Sequence, residues 1–131
     1  MRYLGIDYGT HRIGIALSDE IGEFAYPYIV LENKGIARAT ETIANICKKE
    51  MVGVVVVGES LDYEGKANLV EKEIKQFAGE LGEKTDALIE FENESMTSIE
   101  AERTQGKNKM LDSSAAALIL KYYLEKQKSK S

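Results

Sequence analysis

Tyr3-Leu4-Gly5-Ile6-Asp7-Tyr8-Gly9-Thr10-His11-Arg12-Ile13-Gly14-Ile15-Ala16-Leu17-Ser18 is the stretch that decides the fold. Two apolar runs, Tyr3 to Asp7 and Ile13 to Ser18, flank a short polar link, which is the pattern of a β-hairpin. Asp7 closes the first run, and a glycine turn and a hydroxyl follow it. A lone carboxylate in a sheet is costly unless it is paired or bound to a metal. Two explanations stand side by side. Asp7 can cap the turn by accepting backbone N–H groups, or it can mark a site where Gly9 and Thr10 let a phosphate approach the backbone.

Working outward, Ala25 to Leu31 reads as a third strand. Its proline, Pro27, the only one in the chain, belongs at a strand start, bulge or edge, because it donates no ladder hydrogen bond. Lys34 to Glu50 carries Ile36, Ala39, Ile43, Ile46 and Cys47 at helical spacing. Val52 to Val57 is a continuous β-branched run, the mark of a strand buried on both faces, and Gly58 to Gly65 reads as a loop. Val70, Ile74, Phe77 and Leu81 give a second helix, and Ala87 to Phe91 a short strand. Thr97 and Glu100 have capping-box spacing, so a helix is expected to begin there. A last helix starts near Leu111, with Leu111, Ala115, Leu118, Ile119 and Tyr122 on one face. Three strands followed by helix, strand, helix, strand, helix imply an α/β fold, with a mixed sheet and helices on its faces.

The 131 residues suit one domain, expected to span 1–131, and 44% hydrophobic content is that of a globular chain. Met51 to Val57, the longest apolar run, is far short of a membrane span. No signal-peptide pattern is present, and a single cysteine, Cys47, fits a reducing compartment such as the cytoplasm. The net charge of −5 is unevenly spread. Residues 1–102 hold 10 Lys and Arg against 20 Asp and Glu, whereas residues 103–131 hold 7 against 2. The basic end is either a track for a polyanion or a solvated helix face with a frayed tail from Lys126 to Ser131.

Three carboxylates stand out. Besides Asp7, Glu94 follows the last strand, where Glu90, Glu92 and Glu94 alternate onto one side if the strand runs that far. Spacing alone favours a solvated edge there. Asp112 opens the last helix, where the helix dipole accounts for an acid, but it shares a stripe with Ala115, Ala116 and Ile119 and so can face the sheet. If Asp7, Glu94 and Asp112 converge, they form an all-oxygen site suited to Mg²⁺ or Mn²⁺, and paired ions of that kind hydrolyse phosphodiesters. His11, the only histidine, reads as a surface residue beside Arg12, and none of the tyrosines is assigned to binding.

The segment Gly5 to Asp19 resembles the N-terminal signature of the YqgF/RuvX family. Val55-Val56-Val57-Gly58 with Glu64-Gly65, Glu94 to Arg103, and Leu111 to Leu120 resemble further blocks of that family, in the same order. The resemblance implies a ribonuclease H-like fold with a five-stranded mixed sheet flanked by helices. It implies Asp7, Glu94 and Asp112 as catalytic residues that bind Mg²⁺ or Mn²⁺. It also implies a bacterial cytoplasmic nuclease that processes the 5′ end of precursor 16S ribosomal RNA, junction resolution being the older suggestion. Three departures mark this chain. The segment before Asp112 is short, leaving only Lys107 and Lys109 of a usually more basic stretch. Asn93-Glu94-Ser95 stands where the family usually has Asp-Glu-Arg, so an arginine is missing at Ser95. Gly58-Glu59-Ser60 replaces a usual Gly-Leu-Pro. Glu59 is either an exposed loop residue or a fourth ligand, as related resolvases carry an acid on that strand.

The expected function is therefore metal-dependent hydrolysis of phosphodiester bonds in structured RNA. Thr10 and Arg12 are expected to touch phosphate, and Arg103, Lys107 and Lys109 to guide the strand. The partners are nucleic acid, either precursor ribosomal RNA or branched DNA, and ribosomal particles. The protein is a monomer or a homodimer and does not engage membranes. Two rivals share parts of the pattern. Nucleotide-binding proteins of the actin, sugar-kinase and Hsp70 class have a similar Asp-x-Gly-Thr turn but need two lobes. A non-catalytic RNA- or ribosome-binding module would account for the acidic body and the missing arginine.

Overall fold

The computed structural model describes residues 1–59, 69–93 and 112–130. Five strands form one sheet: β1 (Arg2–Asp7), β2 (Arg12–Ser18), β3 (Ala25–Glu32), β4 (Val52–Glu59) and β5 (Leu88–Asn93). Three helices accompany them: α1 (Ile36–Lys49), α2 (Leu69–Lys84) and α3 (Asp112–Lys130). The strand order is β3-β2-β1-β4-β5. β1, β2 and β3 form an antiparallel meander, whereas β1, β4 and β5 run parallel. The expected mixed, five-stranded sheet is thus the one observed.

Alternation along the strands divides the interior into two cores. Leu4, Ile6, Val55 and Val57 pack with Ile43 and Cys47 of α1 and with Ile74, Phe77 and Leu81 of α2. Val54, Val56 and Ala16 face the other way, onto Ala116, Ile119, Leu120, Tyr123 and Leu124 of α3. The sheet is therefore a filled middle layer between α1 and α2 on one side and α3 on the other.

Pro27 behaves as its chemistry requires. It sits on the edge strand, opposite Ala16, where the register shifts between Ile15 and Ala16. Four expectations need correction. Gly58 and Glu59 belong to β4, because Glu92 and Asn93 of β5 pair with them, and a central strand is held by its neighbours as well as by its own residues. The buried stripe of α3 is Ala115, Ala116, Ile119, Leu120, Tyr123 and Leu124, so Leu118 and Tyr122 are only partly buried. Nearly every residue from Ala115 to Leu124 is apolar, so the sequence pattern does not single out one face. The tail does not fray at Lys126, since α3 continues to Lys130. Glu92 is not on a solvated edge: it is 5% exposed, and its Oε2 accepts a hydrogen bond from Lys126 Nζ at 2.6 Å. The helix expected from Thr97 lies outside the described residues.

Candidate active site

The candidate site is built on the carboxyl edge of the parallel strands. β1 and β5 both run parallel to β4, so Asp7 and Asn93, the residue before Glu94, close strands that end on the same side of the sheet. The register aligns Ile6 with Val57, and Gly58 with Glu92. Two strand intervals separate β1 from β5, about 9.6 Å. Asp7 is half-buried at the tip of β1. The strand alternates faces, and Gly5 lies under α3 while Leu4, Ile6 and Tyr8 join the opposite core. Asp7 therefore stands on the α3 face.

Gly5 makes this arrangement possible. A Cβ there would stand 2.8 Å from Leu120 Cβ and 2.9 Å from the Ala116 carbonyl oxygen. With no side chain at Gly5, α3 seats directly on β1. Asp112 begins that helix one turn ahead of Ala116, and Asp7 lies two strand positions beyond Gly5. The start of α3 and the tip of β1 thus each lie a few residues from one close backbone contact.

The turn after Asp7 is tight. A side chain at Gly9 would collide with the Arg12 carbonyl oxygen, and Asn33 Nδ2 donates to the Gly9 carbonyl oxygen at 2.8 Å. Asn33 also receives, through its Oδ1, the Gly35 N–H that precedes α1. Thr10, His11 and Arg12 are exposed on this buttressed turn, with Arg12 as the first residue of β2. The surface reading of His11 holds. Glu94, Arg103, Lys107 and Lys109 lie outside the described residues, and Asp112 is placed by its backbone alone.

Behind the edge, on the α2 face, sits a set of contacts that sequence reasoning missed. Tyr8 is buried, its ring tilted against Phe77 at 4.9 Å between centroids. Its hydroxyl donates to Glu73 Oε2 at 2.6 Å. Burial first, and then this hydrogen bond, raise the Tyr8 phenol above its ordinary value, so it stays protonated and donates. Lys75 Nζ lies 3.1 Å from Glu59 Oε2, 3.6 Å from Glu71 Oε2 and 4.1 Å from the Phe91 ring centroid. The two carboxylates together raise the Lys75 ammonium, the Glu59 hydrogen bond being the larger cause. Glu59 is thus a strand-end residue held by Lys75 on the face opposite Asp7, and the exposed-loop expectation for it is corrected. Glu71, Glu73 and Lys75 fall at charged positions of an amphipathic helix, where spacing cannot tell a site from a solvated face. Tyr8 did carry a signal, since alternation from Asp7 assigns it to the opposite face.

Asp7, a carboxylate at a strand tip, is a hard oxygen donor of the kind Mg²⁺ and Mn²⁺ take. Among the described residues, no three His, Cys, Asp or Glu side chains form a metal-binding group. Of the three expected ligands, Asp7 alone has its side chain described.

Comparison with known proteins gives consistent results. The model of a family described as "RuvX: Holliday junction resolvase" matches residues 1–126. A protein of Maridesulfovibrio salexigens named "Putative pre-16S rRNA nuclease" is 34% identical over 132 residues, covering 95% of this chain and 98% of that one. One of the same name from Syntrophomonas wolfei is 31% identical over 133 residues, covering 95% and 94%. Among solved structures, Thermus thermophilus RuvC in complex with a Holliday junction substrate superposes with a TM-score of 0.63 at 14% identity, covering 98% of this chain and 96% of that one. That likeness shows the fold, which is ribonuclease H-like.

Proposed function

This chain belongs to the RuvX family, and we propose that it is a metal-dependent nuclease that trims the 5′ end of precursor 16S ribosomal RNA. The observation that carries the reading is the seating of α3 on Gly5, which brings the start of the Asp112 helix toward the tip of the Asp7 strand. The carboxyl end of β5, which leads into Glu94, supports it from the same edge. The names of the relatives supply the substrate.

In this reading Asp7, Glu94 and Asp112 would hold Mg²⁺ or Mn²⁺, and ions of this kind, when bound, supply water activation and charge neutralisation at the scissile phosphate. The chain's own residues do the rest. The Gly9 turn, held by Asn33, presents Thr10 and Arg12 to a phosphate beside Asp7. Arg103, Lys107 and Lys109 guide the strand, and contacts of this sort weaken as salt rises. The enzyme works in the bacterial cytoplasm on pre-ribosomal particles. Among the described residues, no helix is long and apolar enough to cross a membrane.

Junction cleavage is the second reading, favoured by the family's description. One experiment separates the possibilities. Wild type and Asp7→Asn are incubated with precursor 16S RNA and with a DNA four-way junction, each with Mn²⁺. The expected result is RNA cleavage that Asp7→Asn abolishes. Cleavage of the junction alone moves the assignment to DNA. Equal activity of wild type and variant rejects Asp7 as a ligand, and no cleavage of either substrate favours a binding module.

A further inference from the structure

The two faces of β1 do different work at its carboxyl end. Asp7 stands on the α3 face, and the next residue, Tyr8, is locked into the α2 face. Its ring rests on Phe77, and its hydroxyl reaches Glu73 at 2.6 Å. Successive side chains on a strand share one peptide unit, so whatever fixes the Tyr8 ring also fixes the direction from which the Asp7 side chain leaves the backbone. Packing on Phe77 holds the ring in its layer. The hydroxyl contact adds a directional anchor, because a hydrogen bond to a carboxylate is short and directional.

The same helix holds the two neighbouring strand ends. Lys75, one residue pair along α2 from Glu73, bridges to Glu59 at the end of β4 and covers the Phe91 ring near the end of β5. Phe91 lies three residues before Glu94. Three adjacent strand tips, β1, β4 and β5, are thus each tied by a side chain of α2, and Asp7 and Glu94 sit at or just beyond two of them. Among the described residues, the polar side-chain ties from α2 to these strands, Glu73 to Tyr8 and Lys75 to Glu59, fall at the edge where the acids are expected to meet.

We propose that Tyr8 and Glu73 are a positioning pair for the Asp7 carboxylate, holding it in the geometry a divalent cation requires. The proposal rests on the reading of Asp7 as a metal ligand. Neither residue touches the ion or the substrate: Tyr8 acts through the backbone it shares with Asp7, and Glu73 acts through Tyr8. Glu73 is partly accessible to solvent, so water can replace the lost hydroxyl when Tyr8 is changed to phenylalanine, and the fold tolerates the change.

The test measures Mn²⁺ binding to the intact chain by calorimetry and by the electron paramagnetic resonance signal of free Mn²⁺. Thermal unfolding is recorded on the same samples. Tyr8→Phe keeps the ring on Phe77 and removes the hydroxyl, Glu73→Ala removes the acceptor, and Glu73→Gln keeps a carbonyl oxygen that can accept. The expected result is Mn²⁺ affinity reduced about tenfold in Tyr8→Phe and in Glu73→Ala, the size of effect seen when outer contacts of a metal site are lost. Glu73→Gln restores affinity to within about twofold of wild type. Ile43→Val, a core change on α1 remote from the edge, lowers the melting temperature while leaving Mn²⁺ affinity unchanged. Wild-type affinity in Tyr8→Phe, whatever its melting temperature, overturns the proposal when Asp7→Asn abolishes binding in the same assay. Should Asp7→Asn bind as wild type does, the metal reading itself fails, and the positioning role fails with it.

Discussion

Replacing Gly5 with alanine tests the contact on which the site depends. The new methyl would stand 2.8 Å from Leu120 Cβ and 2.9 Å from the Ala116 carbonyl oxygen. Carbon atoms pack at about 3.5 Å or more, so something must retreat by about 0.7 Å. Neither neighbour is the far end of a flexible side chain. One is backbone, and the other is fixed directly to it, so α3 itself must shift. Overpacking of this kind costs about 1–3 kcal/mol. For a chain of this length the melting temperature falls about 4 °C per kcal/mol, so Gly5→Ala is expected to melt about 4–12 °C lower. Gly79→Ala is the matched control. Gly79 lies within α2 with open space around it, and alanine there should stabilise by about 0.5–1 kcal/mol. Both variants are assayed for Mn²⁺-dependent cleavage well below their melting temperatures. Gly5→Ala should lose more than tenfold in rate even where it is fully folded, because the Asp112 helix has moved from the Asp7 strand; Gly79→Ala should cleave as wild type does. An unchanged melting temperature would refute the close seating of α3. A lowered melting temperature with undiminished cleavage would refute the claim that this seating sets the distance between the acids.

Two further outcomes test other contacts. Lys126→Met leaves the buried Glu92 carboxylate without its 2.6 Å partner and should lower stability by about 1–3 kcal/mol in urea unfolding, with Glu92→Gln in the same chain recovering a large part of the loss; an additive double variant would show that the pair is not coupled. Asp19 accepts backbone N–H groups from Phe24 and Glu23, which hold its carboxyl below the ordinary range. Its folded value is lower than its unfolded one, so its contribution is present above the unfolded value of about 3.9 and fades as pH falls through the folded value. Asp19→Ala should therefore melt below wild type at pH 7, the two converging in strong acid, and a gap independent of pH would contradict the assignment.

Much of the fold is legible in the sequence because strands announce themselves by their side chains. Val52 to Val57 could only be a central strand, and Tyr3 to Ser18 could hardly be anything but a hairpin. What escapes is structure imposed by neighbours. Gly58 and Glu59 carry no apolar signal and join β4 only because β5 pairs with them. α3 is too uniformly apolar for spacing to choose its buried face, and the sheet chooses instead, through Gly5 and Ala16. Asp7 was readable at the site because its surroundings, an apolar strand and a glycine turn, make a carboxylate anomalous. Glu92 was not, since an acid among acids looks solvated until a lysine from a helix 34 residues away is seen to meet it. Glu73 and Lys75 were hidden for the same reason, as ordinary charges on an ordinary helix.

Four of the described cations are committed to the chain's own carboxylates. Arg2 binds Glu50, Lys75 binds Glu59 and Glu71, Lys84 lies beside Glu80, and Lys126 binds Glu92. These pairs tie helices and strand ends together. Under the proposed function, attraction for a phosphate backbone is expected at the exposed Thr10 to Arg12 turn beside Asp7, with Arg103, Lys107 and Lys109 as the further cations proposed to guide it. With a net charge of −5, a chain of this kind attracts a polyanion through local contacts and whatever cation its acids hold. Such an enzyme gains little from long-range steering, and its selectivity rests on how firmly the carboxyl edge is held. That places the burden on Gly5 under α3 and on the α2 contacts behind Asp7, the two features that fix the edge from opposite faces of the same strand.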